Sequence, residues 1–311
     1  MDGAPLISIV TATYNRSNVL RYAIESARWQ TVVDWELLVI GDACTDDTEQ
    51  VVATIGDPRI RFFNLEKNIG EQSGPNNAGV RQARGQYLAF LNHDDLWLPH
   101  HLQTLLTQLE QEQADMTFSL TVTIDGDGSR RVTGACSSGS YKPGVVVPAT
   151  SWLLTRELAA RVGPWRFYQE LYDTPSIDWI DRAWKQGARI RLAPRLTVVK
   201  PNSASRRNSY KDRDEDAQRE SAARLRDDPE FVERQLTELL LSYAAPDLSI
   251  WNPLKRAAKN LLKRIAMCCG IRPSVITQLL QNGLRKGTLL DRFRRTRGLP
   301  LLERRNHKHV A

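Results

Sequence analysis

Along the first third of the chain, hydrophobic residues fall in short dense blocks separated by stretches of helical spacing. Residues 6–13, L-I-S-I-V-T-A-T, are rich in β-branched side chains and read as a buried strand. Val19, Leu20, Ala23, Ile24 and Ala27 then recur every three or four residues. That spacing predicts a helix over 18–30, with Ser17 as its N-cap. Residues 35–40 read as a second strand, Thr48–Ile55 as a helix and 59–64 as a short third strand. A helix over 76–84 carries the small residues Ala78, Gly79 and Ala83, which permit close packing, and Gly85 ends it. Residues 87–91 form a fourth block, and Pro99 suits the first turn of a helix over 100–111. Strands alternating with helices define an α/β sheet with parallel strands.

The second half is less regular. Strands are predicted at 116–124 and 130–133 around an acidic, Gly-containing turn, as the mixed-sheet side that receives an acceptor. A helix over 178–186 stops at Gly187, followed by strands at 189–192 and 196–199. A basic polar loop at 203–210 leads to a charged, solvated helix at 211–226 and an amphipathic helix at 231–243. The character changes at Pro246, which divides a body of 1–245 from an extension of 246–311. No internal repeat or low-complexity tract is present.

Charge sharpens that division. The chain of 311 residues carries +7, but 246–311 holds 15 Lys and Arg against 3 acids, +12, leaving −5 for the remainder. Four cysteines, two of them the adjacent Cys268 and Cys269, form no disulfide framework and no CxxC spacing. Reduced thiols and a cytoplasmic location are expected. The first residues lack a signal-peptide pattern, and no apolar run approaches the roughly 20 residues of a membrane span.

The candidate chemistry lies beside the strands. The first block enters T-A-T-Y-N-R at 11–16, the second G-D-A-C-T-D-D-T at 41–48, and the fourth N-H-D-D-L at 92–96. Loops after parallel strands converge on one crevice. Carboxylates gathered there repel one another unless positive charge lies between them, and a divalent metal carrying a phosphorylated ligand would supply it. His93, His100 and His101 do not have the spacing of a helical zinc pair.

Taken in order, T-A-T-Y-N-R, G-D-A-C-T-D-D-T, N-I-G…P-N-N-A-G, L-N-H-D-D-L-W and P-S-I-D-W resemble the family 2 glycosyltransferases with the GT-A fold, over roughly residues 5–210. The resemblance implies a Rossmann-like mixed sheet flanked by helices. It assigns Thr13, Tyr14 and Asn15 to the nucleotide, with Tyr14 stacking on a pyrimidine. Asp42 aligns with the second acid of the family's D-D-G-S-T-D and would accept from the base or the ribose. Gly41 replaces the first acid, and Asp46 and Asp47 read as caps of the next helix. Asn77 matches a family asparagine. Asn76 stands where the family usually has arginine, with Arg81 and Arg84 as replacements for that cation. Of the family's D-x-D-D, Asn92, Asp94 and Asp95 remain. Asp94 would bind Mg²⁺ or Mn²⁺, with Asn92 and Asp95 beside the donor. Asp178 would be the general base, with Asp173 and Asp181 as competitors and Arg182 or Lys185 as ion-pair partners for Asp181. Arg206 and Arg207 would meet phosphate.

The activity so implied is inverting transfer from a UDP- or dTDP-sugar to a hydroxyl of a glycan or lipid-linked acceptor, in cell-surface polysaccharide synthesis. A catalytically silent nucleotide-sugar-binding subunit is the alternative, suggested by the acids lost at Gly41 and Asn92. In the extension, Leu254, Ala257, Ala258, Leu261, Leu262 and Ile265 make one helical stripe with Lys and Arg neighbours. This reads either as an interfacial helix on an anionic membrane surface or as a hairpin packed on the body. Aromatic residues do not interleave the bases, so nucleic acid is not the expected partner.

Overall fold

A computed structural model describes residues 3–125, 128–201, 208–228, 230–244 and 286–302. The elements of the first half are β1 (Ile7–Thr13), α1 (Ser17–Arg28), β2 (Trp35–Gly41), α2 (Thr48–Ile55), β3 (Ile60–Asn64), α3 (Ser73–Gln82) and β4 (Tyr87–Phe90). Next come β5 (Leu96–Trp97), α4 (His101–Gln111), β6 (Met116–Ile124), β7 (Arg130–Thr133), β8 (Trp152–Thr155) and α5 (Arg156–Val162). The remainder is α6 (Pro175–Lys185), β9 (Ile190–Pro201), α7 (Ser209–Asp212), α8 (Asp216–Asp227), α9 (Phe231–Ala244) and α10 (Thr288–Arg297).

The strands form one nine-stranded sheet in the order β3-β2-β1-β4-β8-β6-β9-β5, with β7 on β6. β3, β2, β1 and β4 are parallel; β8 pairs antiparallel with both β4 and β6. The period of two along each strand sorts side chains into two cores. Ile7, Ile9, Leu37, Val39 and Ala89 face α1, α2 and α4 through Leu20, Ile24, Val52, Leu102 and Leu105. Val10, Leu38, Ile40, Leu88 and Phe90 face α3, α5 and α6 through Ala78, Leu158, Trp179 and Ile180. Strands buried on both faces explain the dense hydrophobic blocks in the sequence. Each buried Leu, Ile or Val contributes about 1.5–3 kcal/mol over exposure. Gly79 is required where α3 lies against β1, because a Cβ there would overlap the Val10 methyl.

Several local expectations change. Ser17 is the first residue of α1 rather than its cap; Arg16 occupies the cap, and the Ser17 hydroxyl donates to Asp47 Oδ1 at 2.5 Å. Helix α3 begins at Ser73, three residues early, and Pro99 precedes the first turn of α4. The two strands expected at 189–192 and 196–199 are the single β9, whose pairing with β6 shifts register around Leu120. The helix expected at 211–226 is broken at Arg213, where φ is 49°. Its second part, α8, is not fully solvated, since Gln218, Ser221 and Ala222 are buried. β5, β8 and α5 were not foreseen. β8 has four residues, W-L-L-T, too few to show a period, yet it joins the parallel half to the rest.

Residues 286–302 pack on the body. Gly287 N donates to Leu171 O at 3.0 Å, and Asn208 N to Thr296 O at 2.8 Å. The stripe from Leu254 to Ile265 lies outside the described residues.

Candidate active site

In the sheet, chain order reverses direction at β1, which lies between β2 and β4. Such a reversal opens a crevice beyond the carboxyl ends of the strands. A cavity of about 150 Å³ lies there, lined by Thr13, Tyr14, Asp42, His93, Tyr168 and Tyr210, among others.

The loop after β1 bends at Asn15, whose φ of 47° suits asparagine. The Asn15 side chain is directed at the neighbouring loop: Oδ1 accepts from Thr45 N at 2.8 Å, and Nδ2 donates to Thr45 Oγ1 at 3.2 Å. This clasp turns Tyr14 to the cavity, where its ring lies 6.1 Å from that of Tyr210. The Arg16 guanidinium lies over the Tyr210 ring, 5.6 Å from its centroid, and donates to the Ser209 carbonyl. Two tyrosines thus flank one mouth of the cavity. Tyr210 has no signal of its own in the sequence; it arrives from α7.

After β2, Asp42 is 3% exposed. Its carboxylate accepts from Ile69 N and Gly70 N, both at 2.7 Å, and its carbonyl from Asn68 Nδ2 at 2.7 Å. Asp42 therefore holds the N-I-G loop, a role the sequence did not indicate. Burial pushes its carboxyl above the usual range, against those two amides and the charge of Arg294. Asp46 does cap α2, accepting from Thr48 N at 3.2 Å, whereas Asp47 makes no such side-chain cap.

After β4, Asp95 is fully buried. Its carboxylate pairs with Lys200 Nζ at 2.5 Å and accepts from Asn92 Nδ2 at 2.7 Å. Asn92 and Asp95 thus bond to each other. His93 Nδ1 lies 3.0 Å from the Ala12 carbonyl, so that nitrogen carries the proton, and Nε2 lies 3.8 Å from Asp94 Oδ2. Among the described residues, no group of three or more His, Cys, Asp and Glu is placed to hold a metal. With Asp95 neutralised by Lys200, the donor set is one carboxylate, Asp94. That set fits Mg²⁺ or Mn²⁺, which takes one or two carboxylates and completes its shell with phosphate and water oxygens.

Other sequence candidates lie off the cavity. The Asn77 amide is bound at both ends by Trp165, accepting from its N at 2.8 Å and donating to its O at 3.0 Å. Asp178, in the first turn of α6, pairs with Arg182 at 2.9 Å and Arg166 at 3.6 Å. Arg182 therefore serves Asp178, while Asp181 accepts from the Tyr141 hydroxyl at 2.5 Å. Asp173 is buried and close enough to raise the Tyr168 phenol, which burial already pushes well above its usual value. Tyr168 lines the cavity, whereas neither Asp173 nor Asp178 is part of its lining. Arg84 is bound to Glu36 at 3.0 Å, and Arg81 does not line the cavity. Arg206 and Arg207 lie outside the described residues.

The sheet, its two helical layers and a crevice beyond the ends of β1, β2 and β4 define the GT-A class of α/β fold. The Glycosyl transferase family 2 model matches residues 8–153, and this region belongs to that family. A succinoglycan biosynthesis protein of Rhizobium meliloti, ExoO, is 34% identical over 137 residues, 43% of this chain and 39% of that one. The GalNAc(5)-diNAcBac-PP-undecaprenol beta-1,3-glucosyltransferase of Campylobacter jejuni is 33% identical over 135 residues, 42% of this chain and 43% of that one. The chain spans about two-fifths of the length of these relatives. Staphylococcus aureus TarS 1-349, solved with UDP-GlcNAc, superposes with a TM-score of 0.52 at 20% identity, over 62% of this chain and 57% of that one.

Proposed function

We propose that the protein is an inverting glycosyltransferase that moves a sugar from a UDP- or dTDP-sugar to a hydroxyl of a glycan or lipid-linked acceptor. The observation that carries this reading is the cavity at the strand ends, where Tyr14, Asp42 and His93 come together next to Asp94. The names of the relatives support the acceptor class: one concerns succinoglycan and another an undecaprenol-linked glycan.

In this mechanism Tyr14 stacks on the pyrimidine, a contact worth about 1–3 kcal/mol per stacked base in nucleic-acid systems, and Tyr210 lines the cavity beside it. Asp42 acts indirectly, fixing the N-I-G loop. Asp94 would hold Mg²⁺ or Mn²⁺, which when bound offsets the charge on the departing diphosphate. A carboxylate, Asp178 or its competitor Asp173, takes the proton of the acceptor hydroxyl. That oxygen bonds to the anomeric carbon as the bond to the diphosphate breaks, and the diphosphate leaves with the electron pair.

No helix among the described residues is long and apolar enough to cross a membrane. A peripheral position on the cytoplasmic membrane face, through the +12 extension, suits a lipid-linked acceptor. The test is donor hydrolysis and UDP binding with and without Mn²⁺, for the parent chain and Asp94→Ala. Mn²⁺-dependent activity lost in the variant is expected. Undiminished Mn²⁺ dependence removes Asp94 from the site, and donor binding with no hydrolysis or transfer would favour the silent-subunit alternative.

A further inference from the structure

The sequence makes α10 part of a basic tail; the structure sets it in the wall of the crevice. Leu290, Phe293, Arg294 and Arg297 lie on one face of the helix, and all four line the cavity. Leu290 and Arg294 are each 5% exposed. Arg294 Nη1 donates to Gly70 O at 2.6 Å and Nε to Pro300 O at 2.6 Å. The seat is specific. Gly70 has a φ of 81°, and a Cβ there would lie 2.5 Å from Leu302 Cδ2 and 2.8 Å from Arg294 Nη1.

The charges in the cavity are unequal in their partners. Asp42 is bound by two amides, and Glu71 accepts from Tyr168 N at 3.0 Å and Ser73 Oγ at 3.1 Å. The acceptors of Arg294 are neutral carbonyls, and among the described residues neither Arg294 nor Arg297 forms an ion pair. The Arg297 guanidinium lies 5.6 Å from the Phe293 ring centroid, on the cavity side. The buried Arg294 guanidinium costs free energy unless an anion meets it, and the half-buried Arg297 presents a planar fork that matches the paired oxygens of a phosphate.

We propose that α10 completes the donor site, with Arg297, beside Arg294, receiving the diphosphate of the nucleotide donor. This rests on the donor reading above. It also answers a gap in the sequence: Asn76, buried and not part of the cavity lining, stands where the resemblance expects arginine, and α10 brings a cation to the cavity from more than two hundred residues away. Arg294 pins the helix to the N-I-G loop, and Arg297 faces the ligand.

The test is calorimetric titration of the full chain with UDP, dTDP and uridine, for the parent, Arg297→Gln and Arg294→Lys. Arg297→Gln is expected to weaken UDP about tenfold or more, the scale of one charged hydrogen bond, and uridine by less than about twofold. Arg294→Lys keeps the charge but cannot make both carbonyl bonds that seat α10, so it is expected to weaken UDP more than uridine by loosening the helix that carries Arg297. Equal losses for UDP and uridine, or unchanged UDP affinity in Arg297→Gln, would overturn the proposal while leaving the donor reading in place. A parent chain that binds neither UDP nor dTDP would overturn both, and the two failures are told apart by the parent titration alone.

Discussion

Replacing Asp42 by alanine separates two roles that the sequence could not distinguish. If the carboxylate serves only a nucleotide base, Asp42→Ala should abolish binding and leave stability intact. The structure has both oxygens accepting amides of the N-I-G loop at 2.7 Å. A hydrogen bond to a charged group contributes about 1.5–3 kcal/mol, so two lost bonds set an upper range of about 3–6 kcal/mol. Two effects reduce that. Ile69 and Gly70 are only half-buried, so water can reach the released amides. The carboxylate also bears a burial cost, which is what pushes its pKa up, and the alanine does not. A net loss of about 2 kcal/mol remains, or about 4–8 °C in Tm for a body of this size. UDP affinity should fall with it, because Gly70, the residue Arg294 holds, moves with the loop. Differential scanning calorimetry and UDP titration on the same samples make the check. A Tm within about 1 °C of the parent, with binding lost, would refute the loop-holding role and return Asp42 to direct base contact.

Three further outcomes are expected. Asp178→Asn should reduce transfer by about 10²–10⁴-fold with UDP affinity nearly unchanged; a loss of only a few-fold, with Asp173→Asn inactive, would move the base to Asp173. Asp57 is held down to about 2 by hydrogen bonds from Arg59. Its folded pKa lies below the unfolded one, so its stabilisation is complete at neutral pH and fades as pH falls from about 4 to about 2. Asp57→Asn should therefore cost about 1–2 kcal/mol in urea unfolding at pH 7, discounted for the half-exposed Arg59, and the gap should close in acid. Gly79→Ala should destabilise by about 1–2 kcal/mol despite its better helix propensity, because the new Cβ meets Val10; an unchanged urea midpoint would mean that α3 can shift off β1.

The parallel half of the sheet was legible in the sequence because three of its four strands, β1, β2 and β4, are buried on both faces. Burial on two sides removes the polar residues that would blur a strand, so blocks such as 35–40 stand out, with boundaries within a residue or two. The loops at their ends follow from topology, which is why the segments carrying Tyr14, Asp42 and Asp94 could be expected beside one crevice. Short central elements escaped: the four residues of β8 carry no period, and only their partners β4 and β6 define them. Side-chain roles also escaped, since a carboxylate does not announce whether it will meet an amide, a lysine or a ligand. Asp42 turned to the N-I-G loop, Asp95 to Lys200 and Asn77 to Trp165 because burial obliges each polar group to find the nearest partner. The cavity's far wall was the least visible. Leu290, Phe293, Arg294 and Arg297 spell an amphipathic helix locally, but its seat on Gly70 depends on a contact across the whole chain that no local pattern encodes.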